Sequence, residues 1–229
     1  MTDLTLLQDI EAHSADEVVE QVLAVHASRS VCLTCSFQAE DMVVLHMMRQ
    51  IEPRVPVIFL ETGYHFPETI EYRDRMAADW DLNIINVEPE ITVAQQESQF
   101  GILNQTAPDR CCAIRKVDPL FRALANYETW VTGLRRQQSK SRANLQPEEP
   151  FTLPTGHTLA KLSPLAEWTT RDVWHYAGAH GIPLLPLYEL GYTSIGCAPC
   201  TSLPSDSNDP RSGRWSGRKL ECGIHVQAS

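Results

Sequence analysis

The sequence predicts an α/β fold: a mostly parallel sheet with helices on both faces, followed by a mobile C-terminal tail. Three observations lead there. Short β-branched apolar runs alternate with segments of helical periodicity between residues 31 and 180, the order that builds parallel sheets from crossover units. The chain has 229 residues, 43% of them hydrophobic, enough to bury a sizeable core without cross-links. From Pro204 onward Ser, Asn, Asp, Pro, Gly and Arg displace the apolar residues, as in a mobile terminus. The expected division is one domain over 1–203 and a tail over 204–229.

The elements follow in order. Residues 31–35 are a short β-prone run. Residues 39–50 place Met42, Val43, Leu45, His46 and Met48 at helical spacing. Residues 55–60 are apolar and β-branched, so a strand is expected. Residues 67–80 start with Pro67 and carry acidic residues early, which suits a helix N-terminus. A strand over 82–87, helices over 91–100 and 109–124, and a strand over 129–134 come next. Thr169-Thr170-Arg171-Asp172 has the spacing of a capping box and opens a helix running through His180. Residues 137–155 contain Pro147, Pro150 and Pro154 and read as a long surface loop. No internal repeat is present.

Composition narrows the function classes. The net charge is −10, which argues against general nucleic-acid binding, because neutralising phosphates needs a basic face. No stretch approaches the roughly 20 apolar residues of a membrane span. Residues 1–11 carry acidic side chains and no signal-like apolar run. Seven cysteines cannot all pair. These features place the chain in the reducing cytoplasm. The cations are clustered: Arg115-Lys116, then Arg135-Arg136 with Lys140 and Arg142, then Arg211, Arg214, Arg218 and Lys219. Three basic groups on an acidic protein suggest a small anion held locally.

Four of the cysteines form two pairs, adjacent Cys111-Cys112 and the knuckle Gly196-Cys197-Ala198-Pro199-Cys200. Together they supply the four thiolates of a soft metal centre, zinc or iron–sulfur. Cys32-Leu33-Thr34-Cys35 has knuckle spacing too, but inside a strand its two sulfurs face opposite sides, so core packing is expected. Cys222, in Glu221-Cys222-Gly223-Ile224-His225, is left as a candidate nucleophile, with Arg218 and Lys219 nearby to favour the thiolate. Gly223 removes bulk beside that sulfur. Ser36-Phe37-Gln38-Ala39-Glu40-Asp41 follows the first strand and opens a helix, an arrangement that presents N–H groups to an anion or caps a helix.

Seven segments in one order resemble the assimilatory adenylyl-sulfate (APS) reductases, within the phosphoadenylyl-sulfate (PAPS) reductase family. They are the Ser36–Asp41 loop, LETGYHFPET from Leu60, CCAIRKVDPL from Cys111, GLRRQQS from Gly133, GCAPC from Gly196, DPRSGRW from Asp209 and ECGIH from Glu221. The paired cysteines are the signature of the family's cluster-bearing branch. The resemblance implies an adenine-nucleotide α-hydrolase-like sheet and one [4Fe–4S] cluster on Cys111, Cys112, Cys197 and Cys200. It makes Cys222 the nucleophile that forms an S-sulfocysteine, for sulfate assimilation and cysteine biosynthesis. Reduced thioredoxin is the implied electron donor, with glutaredoxin the alternative. The implied substrate contacts are Ser36, Phe37, Gln38, Leu60, Gly63, Arg115, Lys116, Gly133, Arg135, Arg211, Arg214 and His225. This chain departs from the family at Glu61, where Asp is expected, and in the short stretch between Trp215 and Glu221. PAPS as substrate, a homo-oligomer, and a non-catalytic iron–sulfur or zinc protein are the readings left open. A tRNA-thiolating or adenylating enzyme would need a Gly-rich loop that Ser36-Phe37-Gln38 lacks.

Overall fold

The computed structural model describes residues 14–25, 30–219 and 221–226; residues 1–11, read above as free of a signal, lie outside them. A helix α1 (Ala15–Val25) precedes β1 (Val31–Thr34), α2 (Ala39–Ile51), β2 (Pro56–Leu60), α3 (Pro67–Asp79), β3 (Asn83–Val87) and α4 (Val93–Phe100). Short helices α5 (Leu103–Thr106) and α6 (Pro108–Cys112) lead through a π-helical turn (Ala113–Val117) into α7 (Asp118–Leu124). Then come β4 (Thr129–Val131), β5 (Glu148–Thr152), β6 (Thr158–Leu162) and α8 (Thr170–Ala179). No helix among the described residues is long and apolar enough to cross a membrane.

The six strands are ordered β3-β2-β1-β4-β6-β5, parallel except for the antiparallel β5–β6 pair. Alternate side chains feed two cores. Val31, Leu33, Val57, Phe59 and Val131 pack with α1, α2 and α8, while Cys32, Ile58 and Trp130 pack with Leu120, Leu124 and Phe151 on the other face. Central strands buried on both faces need near-continuous apolar runs, which β1 and β2 have. The decoy thiols Cys32 and Cys35 are both buried, on opposite faces as expected. The chain winds outward from β1 to β3 and then returns to β4 on the other side. Loops leaving β1 and β4 therefore diverge at one switch point, where such folds open a crevice.

Two expectations change. Residues 137–155 are not one loop: they hold two 3-10 turns and the edge strand β5. Pro150 is tolerated there because it faces Ala160 in β6, whose N–H bonds to Glu128 on the β4 side. The Pro150–Ala160 pair is thus a non-hydrogen-bonded one and needs no donor from proline. The helix expected over 109–124 contains the π-helical turn, where the Asp118 N–H reaches back to the Ala113 carbonyl. Pro119 has no N–H and its ring crowds the carbonyl four residues earlier, so the helix widens just ahead of it. The capping box at Thr169 and Asp172 forms, with the Thr169 side chain accepting from the Asp172 N–H.

The described residues after Pro204 fold back on the preceding chain. Thr201 and Arg214 form an antiparallel bridge, the Ser202 N–H bonds the Gly213 carbonyl at 2.9 Å, and Trp215 is buried.

Candidate active site

A cleft of about 430 Å³ opens at the carboxyl ends of β1, β2 and β4. Ser36, Gln38, Leu60, Lys116, Gly133, Arg135, Arg211, Arg214, Cys222 and His225 line it, so ten of the expected substrate and catalytic residues meet there. They come from six separate stretches of sequence, and the fold is what assembles them.

The β1 loop is closed by a residue that sequence reasoning left unassigned. Asp41 Oδ2 accepts the Ser36 N–H at 2.7 Å and its hydroxyl at 2.6 Å. Burial pushes Asp41 up to about 6, against the lowering effect of those bonds. Gly133 packs against this loop so closely that an added Cβ would meet the Asp41 carboxylate and the Asp41 and Glu40 backbone. Only glycine fits there.

Three expected contacts, Phe37, Arg115 and Gly63, lie outside the cleft lining and hold the frame instead. Phe37 is fully buried, edge-on to Phe59 at 5.8 Å and Tyr72 at 6.2 Å, and so belongs to the core. A positive φ of 61° turns its side chain inward while the loop runs on to the cleft. Arg115 lies outside the cleft lining: its guanidinium bonds the Thr62 carbonyl and Gln96 Oε1 and so braces the loop after β2. Gly63, at φ +73°, is packed on that same brace, where a Cβ would meet Val93 at 2.8 Å. Arg135 does line the cleft, but it pairs with Glu40 at 2.6 Å and bonds the Trp168 carbonyl at 3.1 Å. Its charge is already satisfied, tying the β4 loop to α2 and to the entry of α8. Glu61 accepts the Gly63 N–H at 2.8 Å and faces Arg73 at 3.4 Å. Its longer side chain serves the turn and is absent from the cleft wall.

Arg211, Arg214, Lys116 and Arg142 bring positive charge to the cleft. Arg214 is buried, with one N–H on Ser194 Oγ at 3.3 Å and the guanidinium 4.4 Å over the Trp215 ring. Gly196 leaves room for it, because a Cβ there would collide with the guanidinium. Burial and the Arg142 charge lower Arg211 to about 10, so it remains a cation at neutral pH. Lys116 is shifted upward: burial lowers it, but the sulfurs of Cys197, Cys222 and Cys112 more than offset that. Glu221 accepts from Arg142 at 2.7 Å and faces Arg211 at 3.5 Å. Burial works against its charge, and the Arg142 bonds prevail and hold it below the usual carboxylate range. Arg142 was visible only as one of a basic group, and Glu221 only as part of a motif.

His225 lies flat on Trp130, which sequence reasoning did not single out, and among the described residues its Nδ1 has no hydrogen-bond partner. Burial, then the charges of Lys161, Arg142 and Arg211, hold it neutral, well below its usual range.

Beside the cleft, Cys111, Cys112, Cys197 and Cys200 line one small pocket, together with Tyr64, Pro199, Lys116 and Arg214. Lys116, Arg214 and Trp215 belong to both walls. Gln96 Nε2 approaches Cys111 Sγ at 3.8 Å and Thr62 Oγ1 lies 3.4 Å from Cys197 Sγ. Burial pushes Cys111 up to about 11 and raises Cys112 and Cys200, and neighbouring sulfurs add to the rise in each. Among the described residues, no group of three or more His, Cys, Asp or Glu side chains stands ready to hold a single metal ion. All seven cysteines are free thiols.

Residues 30–203 match the phosphoadenosine phosphosulfate reductase domain. The chain belongs to the phosphoadenosine phosphosulfate reductase family. An adenosine 5'-phosphosulfate reductase of Streptomyces coelicolor is 44% identical over 220 residues, covering 95% of this chain and 91% of that protein. One from Rhodococcus opacus is 47% identical over 189 residues, 82% of this chain and 75% of that one. Among solved structures, the phosphate complex of a phosphoadenylyl-sulfate reductase from Candida auris superposes with a TM-score of 0.73 at 25% identity, over 85% of this chain and 93% of that chain. A U34-tRNA thiolase of Methanococcus maripaludis, solved with its [4Fe-4S] cluster, is alike in fold, with a TM-score of 0.52 at 12% identity over 74% of this chain and 64% of that one. Within the reductase family fold, the cleft at the β1/β4 switch point and the four-thiol pocket beside it are the features that bear on chemistry.

Proposed function

We propose that this chain is a thioredoxin-dependent adenylyl-sulfate reductase of sulfate assimilation, working in the cytoplasm. One observation carries the reading: Cys222 shares a cleft wall with Lys116, Arg211 and Arg214, and two of those cations also wall the four-thiol pocket. The names of the relatives supply the substrate class.

The Cys222 thiolate attacks the sulfur of the sulfuryl group. A Cys222–sulfur bond forms, the bond from sulfur to the phosphate oxygen breaks, and AMP leaves with that electron pair. A thiolate of the donor protein then attacks Cys222 Sγ. Sulfite departs with the electrons of the sulfur–sulfur bond, and the mixed disulfide is resolved by the donor's second thiol. Thiolate and substrate are both anionic, so Lys116, Arg211 and Arg214 serve to neutralise phosphate and sulfate oxygens as the two approach. The β1 loop at Ser36 and Gln38 and the close-packed Gly133 shape the nucleotide end. Neutral His225 adds a hydrogen-bonding ring without competing charge. The tail carrying Cys222 opens to meet the donor and closes to exclude water.

Cys111, Cys112, Cys197 and Cys200 fit one [4Fe–4S] cluster. Four thiols around one small pocket are the donor set such a cluster takes. When bound, the cluster supplies fixed charge beside Lys116.

Labelled substrate tests the reading. Incubating the holoenzyme with ³⁵S-APS and no thiol donor should leave label on the peptide containing Cys222, and Cys222→Ser should abolish both label and sulfite release. Undiminished sulfite release from that variant would overturn the proposal. Running PAPS in parallel decides the alternative substrate, which the likeness to the Candida auris enzyme keeps in view.

A further inference from the structure

Glu221 directly precedes the proposed nucleophile, and its carboxylate is ringed by donors from the loop after β4. Ser139 Oγ donates at 3.1 Å, Ser141 Oγ at 2.8 Å, Arg142 Nε at 3.0 Å and Arg142 Nη2 at 2.7 Å, with Arg211 Nη2 at 3.5 Å. Only 18% of the side chain is exposed. The tail has other moorings. Arg218 donates to the Gln105 carbonyl at 2.6 Å, Lys219 pairs with Asp109 at 2.6 Å, and His225 stacks on Trp130. Glu221 differs from these in what it grips. Its two guanidinium partners line the cleft, and they repel each other enough that the Arg142 charge contributes to lowering Arg211.

We propose that Glu221 is a positioning residue: its carboxylate holds Arg142 and Arg211 together at the cleft and fixes the next residue, Cys222, over the substrate. It acts through those arginines and through the tail backbone and does not touch reacting atoms. The proposal rests on the reading of Cys222 as nucleophile. It adds that closure of the tail is tied to the order of the cations, because one carboxylate serves both. A bidentate carboxylate–guanidinium pair is directional as well as charged. A glutamine keeps part of the bonding and loses the charge, and an alanine loses both.

The test is alkylation of Cys222 in the holoenzyme without substrate, read by mass spectrometry on the tryptic peptide that follows Lys219. Rates are taken with iodoacetamide and with a bulky maleimide across a pH series. Removing a nearby carboxylate also favours the thiolate, and that moves the midpoint of the pH profile. Loss of the hold raises the plateau at high pH instead, where the thiol is already ionised. Glu221→Ala should raise the maleimide plateau roughly tenfold, the scale of a lost charge-assisted bond. Glu221→Gln should fall between wild type and alanine, and Glu221→Asp should restore part of the hold. Sulfite turnover should fall in the same order, chiefly in kcat. Added salt should raise the plateau of wild type more than that of the alanine variant. Iron content and far-UV circular dichroism equal to wild type qualify each variant, and Glu221→Gln carries the test if the alanine protein misfolds.

Plateau rates unchanged in both Glu221→Gln and Glu221→Ala would overturn the proposal, even with Cys222→Ser inactive. Full activity of Cys222→Ser would instead remove the reading beneath it. The two failures are therefore separable.

Discussion

His225 stacks on Trp130 with ring centroids 5.2 Å apart and 14° between planes. Trp130 is a core residue of β4, fully buried, edge-on to Phe151 at 5.1 Å, with its N–H on Thr34 Oγ1 at 2.8 Å. The sheet itself thus provides the platform on which the end of the described chain rests.

Trp130→Phe removes the wide platform and the bond to Thr34 while keeping an aromatic ring. It should cost about 1–3 kcal/mol and speed tryptic cleavage after Arg218 and Lys219. Urea unfolding and timed digestion measure the two effects. Cleavage at the wild-type rate would show that the stack does not hold the tail.

Arg211 faces the cleft through a partner, Glu221, that also grips Arg142. Arg211→Ala should lower turnover by a factor of roughly 100–1,000, the range for losing one transition-state donor, with iron content unchanged. Turnover equal to wild type would remove Arg211 from the mechanism.

Gly133 leaves no space for a methyl group: besides the Asp41 carboxylate, a Cβ would lie 2.9 Å from the Asp41 nitrogen and 3.0 Å from the Glu40 carbonyl carbon. Backbone at a helix start cannot move aside cheaply. Gly133→Ala should cost about 1–3 kcal/mol and weaken AMP binding at least tenfold by displacing the Ser36–Asp41 loop. Calorimetric titration with AMP checks this, and unaltered affinity would count against the loop's role.

Asp41 is raised to about 6, with burial the leading cause. Its folded state therefore keeps a proton that the unfolded chain releases above about pH 4. Its contribution is most favourable below pH 4 and becomes progressively less so as pH rises through 6. The stability of wild type relative to Asp41→Asn should fall by about 2–3 kcal/mol between pH 4 and pH 7. Urea unfolding of both proteins at a series of pH values reads that difference; parallel curves would refute the assignment.

Much of the frame was legible in residue order. The runs at 31–35 and 55–60 became β1 and β2 because both are apolar on both faces, and the Thr169–Asp172 spacing became a working cap. The edge strand β5 was hidden because Pro150 speaks against a strand unless one knows that it sits in a non-hydrogen-bonded pair at an edge. The short β6 and the helix α1 were also passed over, β6 because it follows the proline-rich stretch directly. The π-helical turn was invisible in periodicity, although Pro119 is its local cause.

Residue types and their spacing by themselves determined the alternating α/β architecture, the two cysteine pairs and the thiol left over. These depend on backbone periodicity and on donor chemistry, which are local properties. The tertiary structure alone decided which cations face the cleft. Arg135 is neutralised by Glu40, 95 residues away, and Arg115 is spent on a carbonyl 53 residues away, while Arg211 and Arg214 arrive from the tail. An ion pair depends on distance in space, and a burial cost depends on what surrounds a charge; neither is written along the chain.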